Sequence, residues 1–131
     1  MAGLTEVTPP GFVDRWRELD ALGIPVIAFR DNPRYPEAFS PAECVQLQGK
    51  DACGQDRAAL YSPTPPWEQI PDLPHNVSFL DYSSLYCGTH TCPVVIGNVL
   101  VYMDYNHLSA TFTTSMAPLV GEDMDRLVGT T

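Results

Sequence analysis

No apolar run in the 131-residue chain reaches the ~18 residues that a bilayer-spanning helix requires, so no transmembrane segment is predicted. No basic segment leads into an apolar stretch at Met1, so no signal peptide is expected. Basic residues are scarce. Seven Lys and Arg stand against 16 Asp and Glu, giving a net charge of -9 and a pI near 4.4. A nucleic acid or an anionic membrane would be repelled by such a surface, so no nucleic-acid partner is expected. Acidity alone names no partner and reads first as a solubility device. Internal repeats and low-complexity segments are also missing. Apolar residues make up 44% and charged residues 18%, which excludes a disordered tail, a coiled coil and a collagen-like chain. What remains is one domain, residues 1–131, able to bury roughly two-thirds of its unfolded surface without a structural metal.

The four cysteines are Cys44, Cys53, Cys87 and Cys92, spaced C-x8-C and C-x4-C. Neither spacing repeats the tight knuckle of a structural zinc site. Two local disulfides fit better, each closing a short loop and adding roughly 2–3 kcal/mol. Such bonds persist in oxidising compartments. Two alternatives stay open at this level: four buried free thiols, or a metal site that recruits His90 or His107.

Phe12, Val13, Trp16, Leu19 and Leu22 recur on one helical face after Pro9-Pro10, and Gly23 is a good stop. Ile24 to Phe29 is a short apolar run with Pro25 at its start, which predicts a buried strand of a parallel layer. It leads into Arg30-Asp31-Asn32-Pro33-Arg34, a polar loop at the strand's carboxyl end, where open α/β sheets hold ligands. Arg30, Arg34 and Asn32 are therefore candidate contacts for an anionic group on a glycan or lipid, set against the plainer reading of solvated charges. Ser40-Pro41-Ala42-Glu43 is a capping box and predicts a short helix through Cys44. Prolines 63, 65, 66, 71 and 74 make the next segment a loop, with at most a turn of helix around Trp67. Trp67 either stacks on a sugar or plugs the proline loop. Val77 to Leu80 predicts a second strand, ending at Asp81. Asn76-Val77-Ser78 matches the N-glycosylation triplet, which the strand reading opposes.

Pro93 to Ile96 and Val99 to Tyr102 flank Gly97-Asn98 and predict a β-hairpin. Ser109 is placed to cap a C-terminal helix from about Ala110, which Pro118 should break or kink. Between hairpin and helix lies Asp104-Tyr105-Asn106-His107. A carboxylate three residues before a histidine in a turn can accept from one ring nitrogen and leave the other as a general base. His75 and His90 read as loop histidines without a role.

Cys87 to Pro118 resembles the C-terminal end of an SGNH-type hydrolase domain, specifically the SGNH domain fused behind family-three membrane acyltransferases. The matching residues are Leu80-Asp81, Cys87, Cys92-Pro93, Ile96-Gly97, Val101-Tyr102, Asp104 through Ser109, and Leu119 after Ala117-Pro118. Pro25-Val26-Ile27, Asp31 through Arg34 and Cys44 also resemble that family. The resemblance implies an α/β fold, a partial doubly wound α/β/α layer with a β-hairpin leading to a C-terminal helix. It implies the transfer or removal of O-linked acyl groups, commonly acetyl, on cell-envelope glycans by a serine-hydrolase mechanism without a cofactor. Asp104 would orient and His107 would act as base. The implied partners are an acyl donor, a glycan acceptor and an upstream membrane acyltransferase domain.

The resemblance reaches only the second half of that domain. The family's G-D-S nucleophile motif does not occur among this chain's serines, and none of Asn32, Asn76, Asn98 and Asn106 has the context of its oxyanion block. The blocks that carry them would lie upstream. This chain alone is therefore expected to be inactive, because a base needs a nucleophile to activate. The expected location is the extracytoplasmic or periplasmic side in a complete protein, and the cytoplasm for this chain made alone. The alternative function is a non-catalytic, disulfide-stabilised extracytoplasmic binding module.

Overall fold

The computed structural model describes residues 6–129. Helix α1 spans Pro10–Ala21, with proline in its first turn, and leads to strand β1, Val26–Phe29. Gly23 takes φ +71° at the turn between them, a conformation that favours glycine. Helix α2 spans Pro41–Gln48, and Ser40 Oγ accepts from the Glu43 N–H as the capping pattern predicts. A short strand β2, Gln55–Asp56, runs into one helical turn, α3, Arg57–Leu60. The proline-rich stretch holds a single 3₁₀ turn at Pro66–Gln69. Then come β3 (Val77–Leu80), α4 (Ser83–Tyr86), β4 (Thr91–Cys92), β5 (Val95–Ile96), β6 (Val99–Leu100) and α5 (Ala110–Val128).

Three two-stranded ladders result. β1 and β3 pair in parallel, with Val26 opposite Val77 and Phe29 opposite Leu80. β2 and β4 pair antiparallel, Gln55 opposite Cys92. β5 and β6 form the predicted hairpin. Its two turn residues, Gly97 and Asn98, have φ of 56° and 63°, the type I′ requirement that both be left-handed.

The core is rich in tyrosine. Tyr35 and Tyr102 meet edge to face with centroids 5.0 Å apart, beside Val94, Val101, Phe112 and Met116. The Tyr35 hydroxyl donates to the Cys92 carbonyl at 3.0 Å, which gives a buried phenol its partner. The disulfides are Cys44–Cys53 and Cys87–Cys92, as the spacing predicts. The first ties α2 to the segment entering β2; the second joins the end of α4 to β4. All four sulfurs are thereby consumed, which removes both the free-thiol and the cysteine–metal readings.

Two expectations need correction. β1 is not fully buried: its residues are half-buried and Phe29 is 48% exposed. The cause is that its sheet contains only two strands among the described residues, so one edge has no neighbour. The structure is α/β with small sheets, and among the described residues its parallel layer is the β1–β3 pair. Finally, Pro118 does not break α5, which is continuous from Ala110 to Val128. An interior proline costs about 3 kcal/mol, but core contacts on both sides of it, through Phe112 and Met116 before and Val120 after, hold the helix together. Ser109 caps its start and Gly129, at φ +69°, ends it.

Candidate active site

The carboxylate of Asp104 organises the turn that carries His107. Its Oδ1 accepts the backbone N–H groups of Asn106, at 2.9 Å, and of His107, at 2.7 Å. Its Oδ2 lies 2.7 Å from His107 Nδ1. A carboxylate can only accept, so Nδ1 carries the proton of that bond. In the neutral ring, Nε2 is then the acceptor. The two backbone N–H groups, His107 first and Asn106 second, followed by the ring itself, hold the Asp104 carboxyl at about 2, below the usual carboxylate value. Asp104 therefore stays ionised through ordinary pH and faces the ring as an anion. The His107 side chain is 69% exposed, open to a partner from outside.

The turn is fastened on several sides. The Met103 N–H donates to the His107 carbonyl at 2.8 Å, and Tyr102 bridges Leu108 across its neck. The Tyr35 N–H donates to the Tyr105 carbonyl. Ser109, just past His107, donates from its N–H to the Val101 carbonyl and from its hydroxyl to the Leu100 carbonyl. Its Oγ also accepts the Phe112 N–H at the start of α5. The hairpin and the last helix thus fix the histidine's backbone from both directions.

The candidates at the end of β1 behave differently from one another. Asn32 does not face outward. Its Nδ2 donates to the carbonyls of Pro33 and Asn106, the latter at 2.7 Å, so it ties the β1 loop to the histidine turn. Arg34 is exposed. Arg30 is 5% exposed, and the anions it holds are the chain's own. Its guanidinium bonds Glu6 through Nε and Nη2 and Asp81 through Nη1, and Nη2 also reaches the Ser62 carbonyl. Burial opposes the charge on Arg30, but Glu6 and then Asp81 outweigh it and raise its pKa. Burial likewise pushes Asp81 up, and the Ser83 and Arg30 hydrogen bonds more than reverse this, leaving it lowered.

Sequence reasoning missed this network, although it held a signal. Phe29 and Leu80 end two strands that pair in parallel register, so Arg30 and Asp81 emerge side by side. Trp67 stacks on Phe79 at 4.5 Å, so one face of its ring is covered. The Asn76 amide donates to the Trp16 and Ile24 carbonyls, an internal anchor instead of a glycan acceptor. His75 and His90 lie exposed in loops, and no group of possible metal ligands gathers among the described residues. No described helix is long and apolar enough to cross a membrane.

Residues 4–122 match the family model of the SGNH domain (fused to AT3 domains). The chain belongs to the SGNH domain family. It is an SGNH domain of the kind associated with acyltransferase domains, and its two disulfides fit an extracytoplasmic module. No curated protein and no solved structure matches the chain.

Proposed function

We propose that this SGNH chain supplies the base half of an acyl-transfer site, with His107 as general base and Asp104 as the residue that orients it. The observation that carries the reading is the 2.7 Å contact between Asp104 Oδ2 and His107 Nδ1, made by a carboxylate already fixed by two backbone N–H groups. In the reaction, Nε2 takes the proton of a serine hydroxyl as its oxygen attacks the acyl carbonyl. The imidazolium so formed is stabilised by Asp104 and returns the proton to the departing alkoxide. Attack of an acceptor hydroxyl, or of water, on the acyl-serine runs through the same two proton transfers. The substrate class is O-acyl groups, commonly acetyl, on cell-envelope glycans, handled on the extracytoplasmic side beside a membrane acyltransferase domain.

The serine comes from polypeptide outside this chain, which contains no G-D-S. The isolated chain is therefore a non-catalytic module. Its hydrolysis of an aryl acetate should be no faster than that of its His107→Ala variant. In a restored domain that includes the nucleophile segment, His107→Ala should lower acyl transfer by at least ~10³-fold and Asp104→Asn by ~10²–10⁴-fold. Undiminished transfer in both variants would remove the pair from the chemistry.

A further inference from the structure

Arg30 is over-neutralised. Its guanidinium carries one positive charge, yet two carboxylates, Glu6 and Asp81, bond it. Asp81 is the fixed one. The parallel register of β1 and β3 delivers it beside Arg30, where its Oδ2 accepts from Nη1 at 3.1 Å and its Oδ1 accepts the Ser83 N–H at 2.8 Å. That pair is already neutral. Glu6 is a second anion, brought to a cation that has its counter-ion.

A cradle of donors receives it. Glu6 Oε1 accepts from Arg30 Nη2 at 2.6 Å and from the Ser62 N–H at 2.9 Å, with the Ser62 hydroxyl also 2.9 Å away. Glu6 Oε2 accepts from Arg30 Nε at 3.3 Å. Nε and Nη2 form the planar fork that fits the two oxygens of one carboxylate. The fork is held in place. Nη2 also donates to the Ser62 carbonyl at 2.8 Å, and the Tyr61 ring covers the guanidinium at 4.5 Å. Arg30 and Ser62 are both buried. Their own neighbours fix these donors, independently of Glu6.

Glu6 is held differently. Residues 6–9 form neither helix nor strand, and Val7 is 68% exposed. Among the described residues, no hydrogen bond joins the backbone of residues 6–8 to the rest of the chain. The Glu6 carboxylate is the polar group that fastens this segment, so the cradle is preformed and its occupant replaceable. Its place also suits a ligand. Arg30 follows the carboxyl end of β1, where open α/β sheets bind ligands. One cleft of about 1060 Å³ is lined by Glu6, Arg30, Asn32 and Leu108, the residue next to His107.

We infer that Arg30 and Ser62 form a binding site for the carboxylate of a ligand, and that Glu6 fills it as an exchangeable internal stand-in. The cradle selects a carboxylate over a phosphate. It offers a fork and one backbone N–H to two oxygens, and Asp81 on the same guanidinium repels a second full negative charge. The inference rests on the proposed function for its use and deepens it: acyl-group substrates that also carry a carboxylate are the class this site would select.

The test uses the full chain and its Glu6→Ala variant, with sodium acetate as the probe at constant ionic strength. The Ser62 backbone amide is followed by NMR. In Glu6→Ala, acetate should shift that amide saturably and bind at least tenfold more tightly than chloride or inorganic phosphate. The parent chain should approach the same end point only at tenfold or more higher acetate, because the tethered Glu6 competes at a high effective concentration. Glu6→Ala combined with Arg30→Lys keeps the charge, loses the fork and should weaken acetate binding at least tenfold. If that double variant does not fold, the acetate–phosphate comparison in Glu6→Ala still decides. No saturable shift in Glu6→Ala, or an equal response to acetate and phosphate, overturns the site. A parent amide that stays put while the variant binds overturns the exchange. Acyl transfer is read separately, in a restored domain. Acetate binding without transfer counts against His107 as base and not against this site, and transfer by a domain whose Ser62 amide ignores acetate does the reverse.

Discussion

Asn32 donates through Nδ2 to the Asn106 carbonyl at 2.7 Å, across 74 residues of sequence, and joins the loop leaving β1 to the turn that presents His107. The loop at the carboxyl end of β1 and the turn that carries His107 are thereby one mechanical unit. Asn32→Ala should cost about 1 kcal/mol, the usual value of one such hydrogen bond. Asn32→Asp should cost more, because it aims a carboxylate at two carbonyls. Urea unfolding of the three proteins checks the order; equal stability of all three would show that the contact does not hold the loops together.

The Asp104 carboxyl should titrate near 2. Its folded value is below the unfolded value of about 4. The stabilisation it contributes is therefore complete above pH ~4 and is lost as pH falls toward 2. Carboxyl-carbon NMR measures the midpoint. In His107→Ala the midpoint should remain depressed, because the backbone N–H groups of His107 and Asn106 are the larger causes. A midpoint near 4 in the parent chain would mean that Oδ1 does not hold those N–H groups.

Arg30→Ala should destabilise the chain by about 3–5 kcal/mol, since it strands Glu6 and Asp81 beside a buried vacancy. Arg30→Met with Glu6→Gln should recover part of the loss. A loss below 1 kcal/mol in the single variant, by urea unfolding, would show the network to be peripheral.

Pro118→Ala should stabilise the chain by about 1–3 kcal/mol, because it restores an N–H donor inside a continuous helix at an exposed position. A fall in thermal midpoint would mean that the proline is required for the shape of α5.

Local signals in the sequence were legible wherever the chain's own neighbours decide the structure. Gly97-Asn98 specified the hairpin, Ser40 and Ser109 specified two helix starts, and each cysteine lay close to its partner. The Asp104–His107 contact belongs to the same class, since three residues of turn suffice to form it. Structure decided at long range was not legible. The β2–β4 ladder pairs Gln55 with Cys92, and the helical turn that follows β2 has no periodicity to announce it. Asn32 read as a surface ligand because its partner, Asn106, is far along the chain. Arg30 read as solvated because Glu6, Ser62 and Asp81 converge on it from three separate segments. The apolar run at β1 does describe a strand that needs two neighbours; only one of them is among the described residues.

The most direct test of the His107 assignment is covalent. A restored SGNH domain containing this chain is treated with a serine-directed organophosphonate, and the adduct is located by peptide mass spectrometry. The expected result is a single adduct on a serine outside residues 1–131, with labelling slowed at least ~10²-fold in His107→Ala. An adduct on a serine of this chain, or labelling that is indifferent to His107, would contradict it.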